Sequence, residues 1–132
     1  MTETTKQRIP TNANSREIAN SVYETIDEIK LKGESTNLNF ELQFKFARFK
    51  FSIDEFDEAN KLLGICNSMT IDYGLPENYE IYYWAGRISE QKGEIEKAKT
   101  TYEITLRKCN DNPSMISRTE IIEALERTKK PS

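Results

Sequence analysis

The side chains able to do chemistry are few, and what is missing narrows the field. The chain of 132 residues contains no histidine. Without imidazole there is no Ser-His-Asp or Cys-His activation of a nucleophile and no histidine-ligated zinc. The two cysteines, Cys66 and Cys109, lie far apart and form no Cys-x-x-Cys pair. The expectation is two reduced, packed thiols rather than a disulfide, since helical intracellular domains rarely carry one. Carboxylates occur close together, as at Asp54 and Asp57, but no glycine-rich phosphate loop, metal-ligand spacing or activated nucleophile accompanies them. The sequence therefore predicts a protein that is not an enzyme, with no metal and no cofactor. What does recur is a triplet. Glu41-Phe44-Arg48 and Glu80-Tyr83-Arg87 have identical internal spacing, at an offset of 39 residues. Phe51 and Trp84 stand nearby in the same two segments. Aromatic and arginine side chains are the types that dominate binding hot spots. Arginine offers a planar fork to a carboxylate, and an aromatic face offers apolar contact at small entropic cost. The chemistry on offer is recognition.

Composition agrees with that reading. Apolar residues make up 36% and charged residues 31%, a balance suited to a helical protein with a solvated exterior. The net charge is −3, with basic and acidic residues interspersed, as at Lys92-Gly93-Glu94-Ile95-Glu96-Lys97. A nucleic-acid or anionic-membrane footprint requires a basic excess, so neither partner is expected. No apolar run approaches the length of a membrane span, and Met1-Thr2-Glu3-Thr4-Thr5-Lys6 has no apolar core of a signal peptide. A cytoplasmic location is the expectation.

The elements that must position the triplets are helices. Residues 1–14 are mostly polar and read as a disordered tail, followed by one domain over 15–131. Asn14-Ser15-Arg16-Glu17 resembles a capping box, Ile18, Val22, Ile26 and Ile29 follow at helical spacing, and Gly33 ends the helix. Residues 37–53 are ambiguous. Phe40, Leu42, Phe44 and Phe46 alternate like a strand, as do Phe49, Phe51 and Ile53, yet the phase slips between Phe46 and Phe49. The same residues also make the helical stripes Phe40-Phe44-Ala47-Phe51 and Leu42-Phe46-Phe49-Ile53. Further helices are predicted from about Ser52 to Asp72, Pro76 to Lys92, Glu94 to Cys109 and 114 to 129.

A repeat settles the ambiguous stretch. Asp54-Glu55-Phe56-Asp57-Glu58-Ala59 aligns with Gly93-Glu94-Ile95-Glu96-Lys97-Ala98 at the 39-residue offset, and Ala47 then falls on Gly86 and Leu63 on Tyr102. Helices that cross closely need small residues at the crossing, and the turn between them favours Gly or Asp. In this pattern the chain resembles the tetratricopeptide repeat family. One copy spans residues 79–112, with Tyr82, Ala85, Gly86, Gly93, Ile95, Ala98, Tyr102 and Leu106. The other spans 40–73, with Phe46, Ala47, Asp54, Phe56, Ala59 and Leu63. It departs from the family in lacking the first turn glycine, in a spacing of 39 where 34 is usual, and in a late proline at Pro113. The resemblance implies an all-α, TPR-like solenoid of antiparallel helix hairpins, about six helices in all, with residues 15–32 and 114–129 as flanking caps.

It also implies which positions face the groove on the first helix of each pair: Glu41, Phe44, Lys45, Arg48, Phe51 and Ser52, then Glu80, Tyr83, Trp84, Arg87, Glu90 and Gln91. From these the expected partner-binding set is Glu41, Phe44, Arg48, Phe51, Glu80, Tyr83, Trp84 and Arg87. The Lys and Asn of the family's chaperone-tail clamp are absent where Phe44, Arg48, Tyr83 and Trp84 stand, so a more apolar protein or peptide segment with some acidic character is expected. Three fates of the aromatic surface stay open: a partner groove, burial beneath the N-terminal helix, or a homo-oligomer contact. The functions they imply are an adaptor or small chaperone-like protein, and a structural subunit that self-associates or joins a larger assembly.

Overall fold

The computed structural model describes residues 9–129. Within them the chain forms six helices: α1 (Ser15–Lys32), α2 (Thr36–Ser52), α3 (Phe56–Asp72), α4 (Glu80–Gln91), α5 (Ile95–Lys108) and α6 (Arg118–Lys129). The described residues contain no strand, so the Phe-rich stretch is helical. Phe44, Ala47 and Arg48 of α2 are buried, at the i, i+3, i+4 spacing of one helix face. Each helix packs chiefly on its neighbours in sequence: α1 on α2, α2 on α3, α3 on α4, α4 on α5 and α5 on α6.

The turns that close α2–α3 and α4–α5 are the same structure built twice. The Glu55 amide donates to the Lys50 carbonyl at 2.9 Å, and the Glu94 amide to the Ser89 carbonyl at 2.9 Å. The Asp54 amide donates to Phe51, and the Gly93 amide to Glu90, both at 3.1 Å. This bond pair is a Schellman motif, which consumes the orphan carbonyls of the helix end and places one residue in the left-handed region. That residue is Asp54 in one turn (φ 63°) and Gly93 in the other (φ 79°). Aspartate tolerates the left-handed region better than most side chains, which is how the first turn forms without glycine.

Small side chains let the helices meet. A Cβ on Gly86 would sit 2.6 Å from a ring carbon of Tyr102, so α4 and α5 approach with no room for a methyl group. Ala59 and Ala98 are fully buried, and Ala47 nearly so. An aromatic chain then crosses both hairpins. Phe56 meets Phe51 (5.4 Å between ring centres), Phe51 meets Trp84 (5.3 Å), Trp84 meets Tyr83 (5.3 Å) and Tyr83 meets Tyr102 (5.8 Å). Tilted and edge-on rings at this range add stabilisation beyond the area they bury.

Four boundaries differ from expectation. The third helix begins at Phe56 and not at about Ser52, which ends α2 and donates its hydroxyl to the Phe49 carbonyl. The fourth helix begins at Glu80 and not at Pro76, because the Asn78 side chain accepts the Glu80 amide (2.9 Å) and sets the first turn there. The last helix begins at Arg118 and not at 114. Asn112 turns the chain by accepting the Ser114 amide, and Ser117 caps the helix by accepting the Glu120 amide. The tail was expected to run to residue 14, but its last part is tied down. Ile9 is buried, Pro10 and Ala13 close a turn at 3.1 Å, and Asn14 caps α1 through the Glu17 amide. Residues 1–8 and 130–132 lie outside the described residues.

Glu90 locks α4 to α5 and α6. It accepts from Arg127 at 2.8 and 3.0 Å and from the Tyr102 hydroxyl at 2.6 Å. Burial pushes its carboxyl up, but the hydrogen bonds from Arg127 and Tyr102 to the anion outweigh that and hold it below the usual 4.5. A carboxyl depressed in the fold stabilises it above the unfolded value and loses that contribution as pH falls through the folded one. Urea titrations should therefore show stability declining below about pH 4.5, with a shallower decline in Glu90→Gln. The turn makes a second prediction. Asp54→Gly should raise unfolding stability by about 0.5–1 kcal/mol by removing the left-handed penalty, while Asp54→Val should lower it.

Candidate binding groove

α4 lies between α2 and α6. It meets α2 where Phe51 packs on Trp84 and the Arg48 guanidinium lies 4.9 Å from the Trp84 ring centre. It meets α6 through Glu90 and Arg127, and the connection before α6 through Tyr79 and Glu80. The start of this furrow opens into a cavity of about 290 Å³ bounded by α2, the head of α4 and the α5–α6 connection. Phe40, Phe44, Lys45 and Arg48 line it from α2, Glu80 from α4, and Ile9 from the N-terminal segment.

Most of the expected partner-binding residues are inside the molecule. Phe44, Arg48, Glu80, Tyr83 and Trp84 are buried, and Glu41, Phe51 and Arg87 are half-buried. These side chains serve the packing of the chain itself. Tyr83 and Trp84 are links in the aromatic chain between hairpins. Glu80 holds the α5–α6 connection: its carboxylate accepts the Ile116 amide at 2.9 Å, and the Tyr79 hydroxyl donates to the Ile116 carbonyl at 3.0 Å. Glu41 and Lys45 are engaged with α1. The Thr25 hydroxyl donates to Glu41 (2.8 Å), and the Lys45 ammonium donates to Thr25 (2.7 Å) and to the Ser21 carbonyl (3.0 Å). The N-terminal helix, burial beneath which was one of the three open fates, engages Glu41 and Lys45, whereas Arg48 meets the segment that precedes that helix.

The N-terminal segment completes the site. Ile9 is 6% exposed, and its carbonyl accepts from Nη2 of buried Arg48 at 2.5 Å. The Pro10 carbonyl lies 3.4 Å from the same nitrogen, and the Thr11 hydroxyl donates to Glu120 of α6 at 2.7 Å. A five-residue piece of chain is therefore held across the furrow from α2 to α6. Sequence reasoning placed Ile9 in a tail, and its signal was weak: one large aliphatic residue beside a proline in a polar stretch.

Magnitudes show how firmly this piece is held. Burying an isoleucine is worth about 1.5–3 kcal/mol, and each hydrogen bond to a charged group about 1.5–3 kcal/mol. Fixing five residues of backbone costs roughly 5–10 kcal/mol, which is close to what those contacts return.

The remaining reactive groups are quiet. Both cysteines are free and buried, and burial pushes the Cys66 thiol up to about 12. Among the described residues no group of three His, Cys, Asp or Glu side chains could hold a metal ion, and no helix is long and apolar enough to cross a membrane. Searches of family models, curated proteins and solved structures found no match to this chain. If Cys66 is as shielded as its surroundings imply, a disulfide-exchange reagent at pH 8 should label it only at the rate of global opening in urea, not within seconds in buffer.

Proposed function

We propose that this protein is a non-enzymatic binding module that holds a short segment of a partner protein in the furrow between α2, α4 and α6. One observation carries the reading: the furrow already holds a segment, with a buried isoleucine forming part of the cavity wall and its carbonyl on a buried arginine. Helices satisfy their own backbone groups, so a buried guanidinium facing non-helical chain is a device for gripping exposed peptide carbonyls. Residues 9–13 then act as a tethered occupant that a partner segment replaces. A site filled by its own chain binds with an affinity lowered by the fraction of time it is closed.

The twinned turns at a 39-residue offset, the close approach at Gly86 and the order of packing support a TPR-like hairpin solenoid as the scaffold. In that scaffold α1 and α6 are the capping helices. An adaptor or small chaperone-like role fits such a chain. The second reading is a structural subunit. Its support is the outer end of α3 and the residue after it, where Ile65, Ile71 and Tyr73 are 47–73% exposed. It implies a mass that rises with concentration in light scattering.

The test of the first reading uses the chain's own segment. A labelled peptide of residues 6–15 should bind full-length Ile9→Gly at least about tenfold more tightly than the unmodified protein, whose site is occupied. Binding should shift the emission of Trp84, the single tryptophan. Arg48→Met in the same background should abolish it. Equal binding to both proteins, or none to either while circular dichroism stays helical, would contradict the reading.

A further inference from the structure

We infer that the Arg87 end of the furrow recognises an acidic side chain of the partner segment, an inference that rests on the furrow being a segment-binding site. Arg48 and Arg87 hold equivalent places in the two repeats, yet their surroundings differ. Arg48 is buried on the carbonyl of Ile9. Arg87 is half-buried, and its guanidinium carbon lies 5.2 Å from the centre of the Phe51 ring, 5.5 Å from Trp84 and 5.8 Å from Tyr83. Its hydrogen bond among the described residues is Nη1 donating to the Tyr83 hydroxyl at 3.1 Å. No described carboxylate pairs with it. Glu90, whose carboxylate feels the charge of Arg87, already has its oxygens on Arg127 and Tyr102.

Three rings around a guanidinium take water from its faces but leave its edge donors wanting acceptors. A partly desolvated cation without an anion is unfavourable, and a ligand carboxylate would relieve it with a bidentate pair. A second donor in the same ring cluster points the same way. Trp84 Nε1 is buried with no hydrogen-bond acceptor, and such groups are rare enough to need an explanation. The one charge of Arg87 suits a carboxylate better than a phosphate dianion, since Lys45 and Arg48 of α2 are engaged with Ser21, Thr25 and Ile9.

The experiment uses full-length Ile9→Gly and end-blocked peptides of residues 6–15, in which each residue except Ile9 and Pro10 is replaced in turn by Glu or Gln. At one position the Glu peptide should bind about tenfold more tightly than its Gln partner at low salt, the size expected of a charge-assisted pair. Added salt should narrow that gap. Arg87→Gln should erase it without changing the affinity of the Gln peptide, and Arg87→Lys should keep part of it. A gap at no position, or one that survives Arg87→Gln, overturns the inference. If no peptide of the series binds the folded protein, the segment-binding reading falls and takes this inference with it. If the unsubstituted peptide binds and Glu adds nothing, only this inference falls.

Discussion

A guanidinium buried in a helical protein must be given acceptors, and helices have almost none to spare, because their carbonyls are committed to their own amides. Arg48 is such a guanidinium, 4% exposed in the fourth turn of α2. Among the described residues, its Nη2 finds acceptors in irregular chain, the carbonyls of Ile9 and Pro10. That constraint explains why a stretch with little helix or strand propensity is fixed across the furrow. Asn14 caps α1 only a few residues after the chain leaves the Arg48 site.

The repeat makes this asymmetry visible. Two hairpins close with the same hydrogen bonds, a left-handed residue at the same place in each turn and small residues at matching positions. Their Glu-aromatic-Arg triplets nevertheless serve different ends. Glu41 ties α2 to α1, and Glu80 ties α4 to the α5–α6 connection. Phe44 and Tyr83 both pack inward. Only at the third position does one copy hold chain while the other rests against rings. A duplicated scaffold in which one site is filled and its twin is not suits a protein that trades an internal contact for an external one.

Much of this was legible in the residues. Asn14 and Gly33 marked α1 correctly because capping is a local matter of one side chain and one amide. The Phe-rich stretch could not be assigned locally, since its alternation and its helical stripes used the same residues. The phase of the repeat decided it, and α2 is a helix. Pro76 misled because a proline suits a first turn but cannot compete with Asn78, which sets the start of α4 nearer to Glu80. The triplets were found, but their burial was not. A repeat read from spacing says which residues share a face and leaves open what covers that face. Ile9 and Thr11 supply the missing piece through contacts 39 and 109 residues away in sequence, between groups that no short-range pattern connects.

The central claim is that residues 9–13 lie in the furrow of their own chain. Thr11 and Glu120, whose side-chain oxygens are 2.7 Å apart, offer the most direct test. In the double variant Thr11→Cys, Glu120→Cys, mild oxidation of dilute native protein should form an intramolecular disulfide that holds the segment to α6, detected by mass after proteolysis under non-reducing conditions. The buried Cys66 and Cys109 should stay reduced. If the two new thiols remain free in the folded protein, or link only between molecules, the segment does not occupy its own groove and the account fails.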